Sequence, residues 1–225
     1  MLLSIPTWFI HISSMVEWGL AALMLYRYGR LIRRRDVEQF ALLMLPHWIG
    51  GLSVIAFHLT GDSAMWLLDA SKVINMFGSI SLLLASVRII RSPQPIGGIA
   101  FLGFLLFQFG LPNESLKDTI INAVFQLSSL IYIFFLISLL FLYRKDKAVF
   151  SKLTIVGFWF VIVFVSITVG CIYYATKVHG HQSLTYDDFL HGFAESFLTI
   201  SNLMIVLGIR KKMREAQKNL FLEAT

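Results

Sequence analysis

Apolar residues in this chain come in runs of about twenty, not in the alternating or one-faced patterns of soluble strands and helices. A helix needs roughly 20 mostly apolar residues, each rising about 1.5 Å, to cross the ~30 Å hydrocarbon core of a bilayer. By that measure the pattern predicts seven spans, at 6–28, 40–60, 65–90, 96–111, 119–143, 153–176 and 187–209, the fourth of them short. Pro93 and Pro95 break the chain between the third and fourth runs, and Pro112 ends the fourth. Pro46 lies inside the second run with Gly50 and Gly51 one turn on, which predicts a kink or a close helix contact there.

The polar clusters between runs are unequal. Arg27, Arg30, Arg33, Arg34 and Arg35 follow the first run, Arg88 and Arg91 the third, Arg144, Lys145, Lys147 and Lys152 the fifth, and Arg210, Lys211, Lys212, Arg214 and Lys218 the seventh. Sixteen of the 19 basic residues therefore share one side, against Lys117 and Lys177 on the other and Lys72 within a span. Basic residues concentrate in the loops that stay inside. The two basic loops flanking runs four and five must share a side, so run four must cross. The expectation is an all-α, polytopic transmembrane helix bundle of seven spans, N-terminus outside and C-terminus inside. Tyr26, Tyr28 and Tyr143 fall at inner ends, and Trp8, Trp66, Tyr173 and Tyr174 at outer ends, as an interfacial aromatic belt requires. The segment RKKMREAQKNLFLEA extends span seven as a short helix.

Composition agrees. Of the 225 residues, 57 % are hydrophobic and 14 % charged, and the mean hydropathy is +0.74. A soluble domain carries about 25 % charged residues, so this chain cannot cover a globule with polar groups. The net charge of +6 marks orientation and contact with anionic headgroups, not nucleic acid. With Cys171 as the one cysteine, no intrachain disulfide and no cysteine-based metal centre can form. The first 18 residues lack a basic n-region and a cleavage site and carry Glu17, so they read as a span and not as a signal peptide.

Ionisable side chains within a span cost about 2.5–3.5 kcal/mol each on insertion scales, so each needs a reason. They are His11, Glu17, His47, His58, Asp69, Lys72, His191 and Glu195, with Asn75, Asn122, Gln126 and Asn202 as uncharged companions. On the predicted topology His11, His58, Asp69, Lys72, His191 and Glu195 lie in the outer half, Glu17 near the middle and His47 toward the inside. His191 and Glu195 share a helix face, and Asn202 extends that stripe; Asp69 and Lys72 are placed to pair. Were spans one, two, three and seven neighbours, these residues would line one polar pocket on the outer side.

Three readings of that pocket compete. The polar groups can be interhelical glue. They can hold a metal or a tetrapyrrole, with His11, His58 and His191 as candidate ligands, although no H-E-x-x-H or E-x-x-H motif is present. They can form a proton or ion pathway through Glu17, the Asp69/Lys72 pair and Glu195. The H-x-H pair His179 and His181 has a spacing able to hold a metal, though exposed loop histidines are more often simply solvated. TGDS at 60–63 reads as a tight turn and not as a site, and the Phe-rich stretch at 157–164 as lipid-facing surface. No phosphate loop, nucleophile elbow or catalytic triad is present.

Two stretches carry a family likeness. IPTWFIHISSMVEW at 5–18, with the two spans after it, resembles the hypothetical chloroplast reading frame forty-nine family, membrane proteins of cyanobacteria and plastids of unknown function. LHGFAESFLTISNLMIVLGI at 190–209 resembles a second uncharacterised cyanobacterial and plastid membrane family. The likenesses cover about 1–91 and 120–209, so the chain looks like a fusion of a three-span domain at 1–91 and a four-span domain at 92–225. They imply a photosynthetic organism and a thylakoid membrane, and place His11, Glu17, Trp18, His191, Glu195 and Asn202 within the recognisable signatures. The expected function is a non-enzymatic accessory protein that aids assembly or stability of a photosynthetic membrane complex. The alternatives are a small ion or metal carrier, or a cofactor-binding redox protein using the outer His/Glu pocket. Neither the metal nor the cofactor follows from the sequence; the lipid bilayer is the one certain partner.

Overall fold

The computed structural model describes residues 3–91 and 116–224. All regular structure among them is helical: α1 (Ile5–Leu31), α2 (Arg35–Leu43), α3 (Leu45–Leu59), α4 (Met65–Ile90), α5 (Leu116–Lys145), α6 (Lys152–Tyr173) and α7 (Asp188–Ala224), with a π-helical turn at Tyr174–Val178 and a 3₁₀ turn at Leu184–Tyr186. Six helical stretches, α2 and α3 together making one, are long and apolar enough to cross a membrane. The expected fourth span at 96–111 lies outside the described residues.

The second stretch breaks where its proline predicts. Pro46 has no N–H to donate and its ring crowds the preceding turn, so the helix stops at Leu43 and restarts at Leu45. Trp18 of α1 donates its indole N–H to the Met44 carbonyl at the junction, 3.1 Å away and buried. The glycines beyond the break make the close contacts expected of them. A Cβ on Gly50 would enter the Asn75 side chain of α4, and one on Gly51 the Met15 side chain of α1.

Polar contacts give the direction of neighbouring helices. Ser79 and Ser86 of α4 meet Ser128 and Ser138 of α5 at 3.2 and 2.5 Å, so both helices advance in the same direction. Lys145 Nζ at the end of α5 donates to the Ile90 carbonyl at the end of α4. Helices α1 and α7 also run parallel: Thr7 meets Asp188, and Ser14 meets Asn202. Helix α7 lies between α1 and α6, and α4 between α3 and α5.

One end of the bundle gathers the basic segments. Arg34 pairs with Asp36 at 2.6 Å and with Asp146 of the α5–α6 connection at 2.7 Å. The Asp36 hydrogen bond, and after it that to Asp146, push the guanidinium above its ordinary value against the opposing effect of burial. Tyr28 donates to the Ala148 carbonyl at 2.5 Å in the same layer. Beneath it Phe40, Phe135, Phe150 and Phe158 are fully buried and interlock edge to face, Phe40 with Phe150 at 5.1 Å and Phe135 with Phe158 at 5.4 Å. Phe158 thus departs from the lipid-facing reading of 157–164, whereas Ile162 and Val163 keep to it. Two glycine contacts set the α6–α7 distance: Gly157 against Ile205, and Gly208 against Thr154. The outward faces carry Phe9, Leu59, Leu84, Phe141 and Val169, exposed apolar side chains that only a lipid environment accommodates in such number. The chain is associated with a lipid bilayer through these helices. Helix α7 has 37 residues, about 56 Å at 1.5 Å each, so it continues well past a bilayer core at the basic end, as its C-terminal segment suggested.

Candidate metal centre

The opposite end of the bundle holds the start of α1, the α3–α4 turn, the start of α4 and the loop that enters α7. Three histidines from three helices meet there. His11 lies two turns into α1, His58 in the last turn of α3 and His191 in the first turn of α7. Their ring centroids are 5.1 Å (11–58), 5.1 Å (11–191) and 5.3 Å (58–191) apart. All three are buried, at 6 %, 3 % and 6 % exposure. One ring nitrogen from each lies within 4.8 Å of the others.

Local sequence explains why they meet. Ser4 caps α1 and its N–H donates to Asp188 Oδ1 at 3.1 Å, while the Thr7 hydroxyl donates to the Asp188 carbonyl at 3.4 Å. Gly192 sits directly on Thr7, where a Cβ would stand 2.7 Å from Oγ1. Gly192 thus lets α7 close on α1, while Ala194 packs with Cys171, Ala175 and Leu184 on another face of α7. Deeper in the pair, Thr199 donates to the Ile10 carbonyl at 3.4 Å, and Asn202 donates to the Ser14 carbonyl at 3.1 Å and its hydroxyl at 2.8 Å.

His58 is held from the other side. Gly61 and Asp62 both adopt left-handed backbone, φ 66° and 63°, which turns the chain back over the end of α3. The Asp62 carboxylate then lies 2.7 Å from His58 Nδ1. A carboxylate only accepts, so Nδ1 carries the proton and Nε2 presents its lone pair. That is the carboxylate–histidine arrangement by which metal-binding imidazoles are oriented and made more basic. The turn at 60–63 is tight, as read from TGDS, and it also supplies this partner, which the sequence reading did not assign. The signal available was an Asp four residues after a histidine at a helix end, across a glycine.

His11 Nε2 and His191 Nδ1 are buried and meet no hydrogen-bond partner among the described residues. A buried polar group left in that state costs about 1–3 kcal/mol. A cation shared with His58 would satisfy both. The donor set, three imidazole nitrogens, suits a first-row divalent ion such as zinc, copper, iron or nickel. Zinc bonds of about 2.0–2.1 Å put tetrahedral ligand atoms roughly 3.3 Å apart, so the ring nitrogens, here within 4.8 Å of one another, would close in around the ion.

The remaining predicted pocket residues divide. Glu195 Oε2 is 4.0 Å from His11 Nδ1, beside the cluster. Asn202 is committed to Ser14. Asp69 and Lys72 pair with each other at 3.6 Å on α4. Glu17 Oε2 is buried and meets no hydrogen-bond partner among the described residues. His47 lies against Trp18 and Tyr132, with ring centroids 6.0 and 5.9 Å away, and fills the space above Gly78.

Fold and site together describe an all-helical membrane protein with a buried cluster of three histidines. A model of a family described as protein of unknown function (DUF2499) matches residues 2–88, and a second of the same description (DUF3593) matches 121–214. A Ycf49-like protein of the cyanobacterium Synechocystis is 31 % identical over 96 residues, an alignment covering 41 % of this chain and 92 % of that relative. The chain belongs to the Ycf49-like family and joins to it a segment that matches a second family. No solved structure matches.

Proposed function

We propose that this protein binds a divalent transition metal within the membrane, on His11, His58 and His191. The carrying observation is the convergence of three buried imidazoles, two with unpartnered nitrogens and the third oriented by Asp62. His11 and His191 sit in the two segments that bear the family likenesses, so the site joins both families' portions of the chain. The decisive measurement is metal analysis of the full chain purified in mild detergent, with uptake of added Zn²⁺. We expect one tightly held equivalent, lost on His11→Ala, His58→Ala or His191→Ala while the helical circular dichroism stays. Folded protein that contains no metal and takes up none overturns the proposal.

The proposed topology has seven crossings, N-terminus outside and C-terminus inside. Its support is the gathering of the basic segments at one end together with the parallel pairing of α4 and α5, which leaves Ile90 and Leu116 at opposite ends of the bundle. The metal centre then faces the outer side. The division at residues 91 and 92 belongs to this reading as well. With this topology we propose a thylakoid setting, consistent with the cyanobacterial source of the Ycf49-like relative, and an accessory role in assembly or stability of a photosynthetic membrane complex. Co-purification in mild detergent tests that role, and a protein that always migrates alone speaks against it.

A further inference from the structure

A second group of metal-binding side chains lies on the loop that leads into α7. His179, His181 and Asp187 each offer a ligand atom within 4.8 Å of the others, and this group is partly exposed, His179 most of all, where the first is buried. The loop is built to hold them together. After α6 the π-helical turn Tyr174–Val178 ends at His179, whose ring packs edge-on against Tyr174 at 4.7 Å. Gly180 takes φ +70°, a conformation that glycine adopts at no steric cost. It lets the chain double back so that the His181 N–H reaches the Ala175 carbonyl at 3.0 Å, and the two imidazoles stand 5.7 Å apart.

Asp187 connects this loop to the buried cluster. Its Oδ2 lies 2.8 Å from His179 Nδ1, a contact that a shared cation would replace. Its Oδ1 accepts from the Leu190 N–H at 3.1 Å and so caps α7. Its carbonyl accepts from the His191 N–H at 2.9 Å. Asp187 and His191 are therefore one helical turn apart, about 6 Å along the axis, and the two histidine groups occupy the same end of the bundle. Buried imidazoles exchange ions slowly because solvent cannot reach them; a partly exposed group of like donors one turn away captures the ion from water and keeps its local concentration high.

We propose that His179, His181 and Asp187 form an exchangeable divalent-metal site that loads the buried site on His11, His58 and His191. The ion is a first-row divalent cation acquired from the aqueous phase at this end, and no bond is made or broken other than coordination bonds. The inference rests on the metal reading of the buried cluster.

The test uses the full chain in detergent, with Zn²⁺ for stoichiometry and Co²⁺ absorption for kinetics. Wild type should bind two equivalents, one weak and fast, one tight. His179→Ala/His181→Ala should bind only the tight one at unchanged affinity, with its loading slowed about ten-fold or more because the local supply is gone. Asp187→Asn, which keeps the cap on α7, should fall between. A double variant that still binds two equivalents, or loads the tight site at the wild-type rate, overturns the loading role and leaves the buried site standing. One equivalent in wild type, lost in the double variant and unaffected by His58→Ala, removes the buried site and with it the loading role. Helical circular dichroism of each variant checks that the fold is kept, so loss of the fold does not confuse these outcomes.

Discussion

Substitution of Asp62 by asparagine isolates the contribution of one carboxylate to the buried centre. Asp62 has φ 63°, and Asn is among the few non-glycine residues that visit this region readily, so the turn is kept. Alanine would add a backbone penalty of about 1–2 kcal/mol and blur the result. The amide oxygen of Asn can still accept from His58 Nδ1, now 2.7 Å from the carboxylate, but without its charge. Hydrogen bonds to charged groups contribute about 1.5–3 kcal/mol and neutral ones about 0.5–1.5 kcal/mol. The difference, roughly 1–1.5 kcal/mol, is the orientation and basicity lost by His58. At about 1.4 kcal/mol per decade this weakens Zn²⁺ binding roughly ten-fold, within the ~10–100-fold typical when such a partner of a metal-binding histidine is removed. Competition titration against a chromophoric chelator, in detergent, measures it. His58→Ala in parallel should weaken binding far more. If Asp62→Asn stays within about two-fold of wild type while His58→Ala abolishes binding, the carboxylate does not orient the ligand. If neither variant matters, His58 is not a ligand.

Removing the metal should lower the melting temperature. A ligand that binds only the folded state stabilises it by RT ln(1 + [L]/Kd), about 2.7 kcal/mol at a hundred-fold excess over Kd. Chelator treatment followed by differential scanning fluorimetry reads this, and His191→Ala should show no chelator response. Gly208→Ala places a Cβ 2.5 Å from the Thr154 backbone N, an atom that cannot step aside, so α6 and α7 must separate. We expect a loss of about 1–3 kcal/mol and a lower melting temperature in detergent; an unchanged value would mean the helices pack differently. Asn202→Ala removes two buried hydrogen bonds to Ser14. Interhelical bonds in membrane proteins average about 0.6 kcal/mol and reach ~1.7, so a loss of about 1–2 kcal/mol is expected, read as a lower denaturation midpoint.

The linear pattern was enough to locate every described crossing, because insertion into hydrocarbon depends on length and apolarity, which are properties of a contiguous segment. The run predicted at 65–90 and α4 coincide. The Pro46 break and the close approaches at Gly50 and Gly51 were equally legible, since a missing N–H and a missing Cβ act locally whatever the neighbours are. Basic residues at alternate loops also implied one charged end, and Arg34 with Asp146 and Lys145 with Ile90 bring those loops together.

Which polar residues meet was another matter. Depth along each helix could be counted, but rotation about its axis, and which helix stands beside which, are set by packing across helices. His11, Glu17 and Asp69 looked alike as ionisable groups within predicted spans. Gly192 on Thr7, Asn202 on Ser14 and the Asp62 hook over α3 turn His11, His58 and His191 toward one another. The same packing leaves Asp69 paired with Lys72 within α4 and Glu17 Oε2 with no hydrogen-bond partner among the described residues. The sequence by itself determined that this chain lives in a membrane, where its helices run and which end is basic. Only the tertiary structure decided that three of its buried histidines meet in one cluster, because convergence depends on contacts among residues up to 180 positions apart, from His11 to His191, that no local pattern encodes.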